Sequence, residues 1–424
     1  MAQTTRGRLL LNSFVTLVLV TTAAPAAEII EFRSRTMGTT YLVKVVDVGD
    51  PDELQQRIDR RLEEINGLMS TYLEDSEVSQ FNRMPAGQWF AISDETLRVV
   101  ELGQEIARQS EGAFDMTVGP LVRLWSFGAE AHSGDFVPPA PADVQATLTI
   151  VGFEKLEVRS DPAALRKRVD GVQIDLSAIA KGYAVDQVAE LIQAQGVTDF
   201  MVEIGGEVRA AGVRPDGRPW QIGIEAPDPE TRRPETLIPL QDQALASSGD
   251  YRNFHEYRGK RYSHTIDPRT GWPVEHDLSA VSVVAENCAT ADALATALLV
   301  LGRADGSIWA EQHQVDALLL SRTETGTEHA RTGRFPAHRI AAPDESQPQS
   351  SLAGLILMSA VIFGIALLAM SIGVVINGRR LRGSCGGLAG LTDECGDTLC
   401  DACTNPSPTC QGEPLEDAEN RRLS

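Results

Sequence analysis

The sequence predicts an α+β domain followed by one membrane-spanning helix and a short cysteine-bearing tail. Strand and helix patterns are interspersed without strict βαβ alternation, which marks the α+β class. One uncharged apolar segment near the end is long enough to cross a bilayer, and most of the cysteines lie beyond it. The chain has 424 residues and 42% apolar content, which suits a folded core rather than disorder. Its 38 Lys and Arg face 59 Asp and Glu, a formal net charge of -21. That balance excludes a general nucleic-acid partner, because neutralising phosphates takes a basic surface. Six cysteines are too few for a disulfide scaffold.

Residues 1–27 have the form of a signal peptide: Arg6 and Arg8, an apolar run from Leu9 to Val20, then Ala24-Pro25-Ala26. No cysteine follows, which excludes lipid attachment there. Leu352 to Ile376 form a 25-residue segment without a charge, read as a transmembrane helix after a linker at 341–351. Arg379, Arg380 and Arg382 follow the span and mark its cytoplasmic side. Signal and span agree in placing residues 28–340 outside the cytoplasm and the tail, 377–424, inside.

Within 28–340, TYLVKVV (40–46) alternates as a strand, and Asp50-Pro51 then opens a helix with a cap and an N1 proline. Leu54, Ile58, Leu62, Ile65 and Met69 recur at helical spacing, and Asn66-Gly67 weakens the end. Further strands are expected at VQIDL (172–176), FMVEIG (200–205), WQIGIE (220–225) and LSAVSVVAE (278–286). Helices are expected near 94–109, 179–195 and 290–301, and FVPPAPAD (136–143) reads as a loop. No fixed-period repeat is visible.

The chemistry concentrates in four clusters. Asp115 lies between Phe114 and Met116, where a buried carboxylate needs partners; a turn or cap is its plainer role. At IDLSAIAKGYAVD (174–186), small residues lead from Asp175 into a helix, so a phosphate has room at the helix start and Lys181 can meet its charge. Ordinary strand-to-helix packing with a solvated lysine fits that stretch as well. His264, just before the DPRTG turn, is a candidate base because imidazole titrates near neutrality. Asp292 and Thr296 are four apart and share a helix face, offering hard oxygens suited to Mg²⁺. Cys288 reads as a small buried residue.

Taken in order, MGTTY (37–41), MSTYLEDSEVSQFN (69–82), GAFDMTVGPLVRLW (112–125), DLSAIAKGYAVD (175–186), IGGEVRAAG (204–212), HTIDPRTG (264–271) and ADALATALLVLG (291–302) resemble the ApbE family of FAD:protein FMN transferases. The resemblance covers nearly all of residues 30–335 and implies a single flavin transferase domain. Such an enzyme binds FAD with Mg²⁺, cleaves its pyrophosphate, places FMN on a Thr or Ser hydroxyl of a target protein and releases AMP. Carried over by position, the resemblance implies that Met37, Tyr72, Ala113, Phe114, Asp115, Asp175, Lys181 and Ile266 contact the flavin nucleotide. It implies that the Ala178 backbone oxygen, Asp292 and Thr296 hold the metal, and that His264 activates the acceptor hydroxyl. Some relatives have Asp immediately before the metal threonine, where this chain has Ala295. The family's acceptor string, roughly Asp/Ser-Gly-Ala-Thr/Ser, does not occur here, so the acceptor is expected to be a separate protein.

Cys400-Asp-Ala-Cys403 is a C-x-x-C pair suited to metal or redox chemistry, although a disordered acidic tail fits the composition as well. The apolar span followed by basic residues and GSCGGLA (383–389) resembles NqrM, a membrane maturation factor of the sodium-pumping NADH:quinone oxidoreductase. That resemblance covers about residues 352–410 and implies iron, with Cys385, Cys395, Cys400 and Cys403 as candidate ligands. Together the resemblances imply a single-pass protein of the bacterial inner membrane, with a periplasmic enzyme domain and a cytoplasmic tail. Its acceptors would be subunits of that oxidoreductase, which carries FMN on threonines. Two rival readings are an FAD pyrophosphatase that uses water as acceptor and a non-enzymatic membrane flavin carrier.

Overall fold

The computed structural model describes residues 28–128, 136–228, 233–323 and 326–336. The signal segment, the linker, the expected span and the tail cysteines lie outside the described residues. Two strands, β1 (Ile29–Thr36) and β2 (Thr39–Val46), form a hairpin and lead into α1 (Pro51–Met69). Asp50 caps α1 by accepting from the Glu53 N–H, and the helix runs through Asn66-Gly67 to Met69 with its predicted apolar stripe buried. Next come α2 (Glu77–Arg83), β3 (Phe90–Ala91), α3 (Asp94–Gln109), α4 (Gly119–Leu124) and α5 (Pro141–Leu148). The FVPPAPAD stretch is therefore irregular only to Ala140, after which Pro141 opens a helix, as a proline at N1 allows.

The chain continues through β4 (Leu156–Ser160), β5 (Ala163–Lys167), α6 (Ala180–Ala194), β6 (Phe200–Ile204), β7 (Glu207–Ala211), β8 (Trp220–Glu225) and β9 (Pro234–Leu240). It ends with β10 (Gln243–Gly249), β11 (Phe254–Tyr257), β12 (Lys260–Ser263), β13 (Leu278–Ala285), α7 (Cys288–Gln312), β14 (Asp316–Thr323) and β15 (Gly326–Thr332). Eight strands form one antiparallel sheet in the order β1-β2-β6-β7-β10-β13-β14-β15. Helices α1, α3, α6 and α7 cover one face, packing on Val43, Val45, Val202, Ile204, Val281, Val283 and Leu319. The β8–β9 hairpin covers the other, where Trp220, Ile222, Ile224, Ile238 and Leu240 meet Met201, Val208, Leu245, Val284 and Leu318. Neighbouring strand residues thus point into different cores, which is why LSAVSVVA is apolar on both faces. The α+β expectation holds.

One expected strand does not form. Residues 172–176 form no regular element and join no ladder. Asn82 takes the place of a neighbouring strand: its Nδ2 donates to the Ile174 carbonyl and its Oδ1 accepts from the Ile174 N–H, each at 2.8 Å. The Asp175 N–H then donates to Met116 O at 2.7 Å.

Helix α7 is longer than the pattern at 290–301 indicated, because the chain kinks at Gly302 and resumes. Among the described residues, α7 is the helix long and apolar enough to cross a membrane, yet it packs as a buried core helix against β10 and β13. It also crosses α6 closely. A Cβ on Gly182 would lie 2.4 Å from the Cys288 carbonyl oxygen, so glycine is required there. Gly182→Ala should therefore cost at least ~2 kcal/mol of stability, because the obstacle is backbone that cannot rotate away. A urea unfolding midpoint unchanged by that substitution would contradict this packing.

Candidate active site

The crossing of α6 and α7 sets the floor of a cavity of about 450 Å³. Both helix starts are capped by the opposite helix. Asp292 of α7 accepts from the Gly182 N–H at 3.1 Å, while Asp186 of α6 accepts from the Cys288 and Ala289 N–H groups at 2.9 Å. Carboxylates suit these positions because helix N-termini carry unpaired donors and partial positive charge. The Gly182 N–H is thus already bonded and not free to receive a phosphate. Cys288 is fully buried, and burial pushes its thiol well above the ordinary range.

Asp292 is only 2% exposed, and burial raises its carboxyl against the pull of Lys181 and the Gly182 N–H. One turn further along α7, Thr296 shares a hydrogen bond of 2.9 Å with Ser248 at the end of β10. Ala178 lies in the turn before α6, and all three residues line the cavity. Lys181 Nζ pairs with Glu207 Oε1 at 2.7 Å. Desolvation opposes the Lys181 charge, but Asp292 and Glu207 outweigh it and raise the ammonium's pKa. Burial, reinforced by Asp292, pushes the Glu207 carboxyl up against the pull of Lys181. Two buried carboxyl groups face one ammonium, and a bound cation would favour ionising the second of them.

The other walls come from four further segments, around Tyr72, Asp115, Asp175 and His264. Asp115 caps a 3-10 turn at Met116–Val118: Oδ1 accepts from the Thr117 N–H and hydroxyl, and Oδ2 from the Phe153 N–H, each at 2.7 Å. Burial raises its pKa and these bonds oppose the shift. It is a turn residue that also lines the cavity with Ala113 and Phe114. Asp175 accepts from the Ser177 N–H at 2.9 Å and from its hydroxyl at 2.5 Å. Tyr72 stands 70% exposed in the wall.

His264 follows the β11–β12 hairpin, and its Nδ1–H donates to the Asn253 carbonyl at 3.1 Å. A carbonyl can only accept, so Nε2 is left as the basic nitrogen. Burial lowers the imidazole pKa below 6.5. Ile266 pairs with Pro273 across the DPRTG turn, whose Gly271 carbonyl accepts from Trp125 Nε1 at 2.8 Å. Trp125 also stacks on Tyr262, so a small apolar core fixes the His264–Ile266 segment against α4.

Eleven of the twelve residues anticipated for the enzyme domain line this one cavity: Tyr72, Ala113, Phe114, Asp115, Asp175, Ala178, Lys181, His264, Ile266, Asp292 and Thr296. Met37 does not. It sits in the β1–β2 turn at φ 48°, and its side chain packs on the helical-face core. Two residues of the site, Glu207 and Ser248, and one that braces it, Asn82, are not assigned from sequence. Glu207 lay in the quoted IGGEVRAAG segment, where a carboxylate opening an apolar strand was the available signal. Asn82 ends the quoted MSTYLEDSEVSQFN segment and Ser248 opens SGDYRNF (248–254), but nothing local names their partners, which lie 92 and 48 positions away.

A mixed fold whose cavity joins a buried acid pair, an ammonium and an imidazole defines an enzyme acting on a charged substrate. The ApbE family pattern matches residues 37–319, and the chain belongs to that family. It is 42% identical over 328 residues to the FAD:protein FMN transferase of Vibrio cholerae serotype O1, across 77% of this chain and 97% of that relative. The structure of the flavin transferase ApbE from Vibrio cholerae matches with a TM-score of 0.67 at 42% identity, covering 73% of this chain and 98% of the other. The apo flavinyl transferase ApbE of Pseudomonas stutzeri matches at 0.66 and 38%, covering 72% and 95%.

Asn82→Ala should speed hydrogen exchange at the Ile174 amide and cost ~2 kcal/mol, since it strands a buried backbone donor and acceptor. Unchanged protection at Ile174 would show that Asn82 does not hold this segment.

Proposed function

We propose that the chain is a Mg²⁺-dependent FAD:protein FMN transferase. The observation that carries this reading is the lining of one cavity by the Asp292–Thr296 pair, Lys181 and His264 in a chain of the ApbE family. Asp292, Thr296 and the Ala178 carbonyl suit a hard divalent cation: all three donors are oxygens, and the buried acids outnumber the ammonium. When bound, the cation supplies positive charge that offsets the pyrophosphate oxygens.

Lys181 meets part of the substrate's negative charge, and the cavity walls orient the dinucleotide, which is most of what phosphoryl transfer requires. His264 Nε2 takes the proton of the acceptor hydroxyl. The hydroxyl oxygen forms a bond to the flavin-side phosphorus, the bond from that phosphorus to the bridging oxygen breaks, and AMP leaves with the bridging oxygen. Tyr72, Ala113, Phe114, Asp115, Asp175 and Ile266 contact the flavin nucleotide in this reading, and Met37, whose side chain packs in the core, supports the site from the β1–β2 turn.

The acceptor is a separate protein, and the tail points to subunits of the sodium-pumping NADH:quinone oxidoreductase. The enzyme domain works in the periplasm from a single-pass anchor at 352–376. In the cytoplasm, Cys385, Cys395, Cys400 and Cys403 take part in iron delivery, so one chain serves two maturation steps.

Incubation with FAD, Mg²⁺ and a threonine acceptor fragment should add one FMN moiety by mass and release AMP. An unmodified acceptor would sink the transferase reading, and FMN formed equally fast without acceptor would favour the pyrophosphatase. Asp292→Ala should abolish turnover, while a carrier would retain intact FAD. His264→Ala should slow transfer by ~100-fold or more, as loss of a general base does. Because His264 acts as the neutral form and burial lowers its pKa, kcat/KM should hold as pH falls through 6.5 and decline only below it. A decline centred above 6.5 would exclude it as the base.

A further inference from the structure

Glu207 counts among the buried acids of the reading above but is given no contact there with metal or substrate, although it stands inside the cavity. It opens β7 directly after the Gly205–Gly206 turn, whose φ angles of 62° and 106° suit glycine and reverse the chain tightly. It is 2% exposed. Oε1 pairs with Lys181 at 2.7 Å, and Oε2 is buried with no hydrogen-bond partner among the described residues. Burying a carboxylate with one oxygen unpaired is costly, so its contact with the ammonium is what it is placed to make.

Asp292 is the competing partner. It is bonded to the N–H of Gly182, the residue after Lys181, and its field acts on both Lys181 and Glu207. The ion pair that Lys181 makes is nevertheless with Glu207. A half-buried ammonium between two buried carboxylates is held by whichever is better placed, and removing one hands it to the other. An ammonium seated on Asp292 would occupy the oxygens that a divalent cation needs.

We propose that Glu207 is a positioning residue that partitions the cations of the site: it keeps the Lys181 ammonium off Asp292, leaving Asp292 to the divalent metal. This rests on the metal reading under Proposed function. The same contact holds the ammonium ready for the substrate phosphates. Glu207 thereby acts on metal and substrate through Lys181 without touching either.

The test is Mn²⁺ binding followed by electron paramagnetic resonance, on full-length, detergent-solubilised protein free of FAD. Glu207→Gln should weaken Mn²⁺ binding by about tenfold, and Glu207→Asp, which keeps the charge, should restore most of it. In a Lys181→Met background, Glu207→Gln should change binding by no more than about twofold, because the competitor is gone. Equal weakening in both backgrounds would mean plain through-space attraction and overturn the proposal; so would unchanged binding by Glu207→Gln. No Mn²⁺ binding by the unsubstituted protein would overturn the metal reading and this inference together. Should the Lys181 variant not fold, a crystal structure of Glu207→Gln decides: Lys181 Nζ should move within salt-bridge distance of Asp292, and an ammonium left in place overturns the proposal.

Discussion

Helices α6 and α7 cross where one of them carries no side chain, and each supplies the carboxylate that caps the other. Gly182 lets the Cys288 carbonyl come close; Asp292 then reaches the Gly182 N–H, and Asp186 reaches two N–H groups at the start of α7. Arg209 on β7 balances Asp186 at 2.8 Å. The exchange satisfies orphan donors at both helix starts and leaves Asp292 buried at the bottom of a cleft. Its position is fixed by helix packing, so the chemistry of the site depends on a structural contact made before any ligand arrives.

The sheet carries that contact. Both faces of β10 and β13 are buried, one under α7 and the other under the β8–β9 hairpin. This holds Ser248 opposite Thr296 and brings the end of β10 to the cavity. The β6–β7 turn delivers Glu207 into the same space, while a separate small core of Trp125, Tyr262 and Ile266 delivers His264. Acid floor and imidazole wall are thus supported by different packing units. Such a division lets the acid floor and the imidazole be positioned independently of each other.

Much of the fold was legible because its signals are local. The Asp50-Pro51 cap, the stripe from Leu54 to Met69 and the double-faced apolar run at 278–285 all predicted elements that form. Asp292 and Thr296 were legible as one helix face for the same reason. VQIDL at 172–176 alternates like a strand yet forms none, since alternation reports which side chains face inward and says nothing of what bonds the backbone. There, a side-chain amide from residue 82 does the bonding. The end of α7 was missed because Gly302 breaks the pattern while the chain resumes its helix beyond it.

The sequence by itself determined the class of fold, the family and most of the residues that gather in the cavity. Periodicity, caps and ordered motifs are properties of neighbouring positions, so they survive without three-dimensional information. Which carboxylate holds the Lys181 ammonium, which nitrogen of His264 stays basic, and whether the Gly182 N–H is free were decided only by tertiary structure. Each depends on a partner distant in the chain or on a backbone carbonyl whose direction no residue type encodes: Glu207, Asn253 and Asp292. Burial then magnifies those choices, because an unpaired charge away from water costs far more than the same charge at the surface.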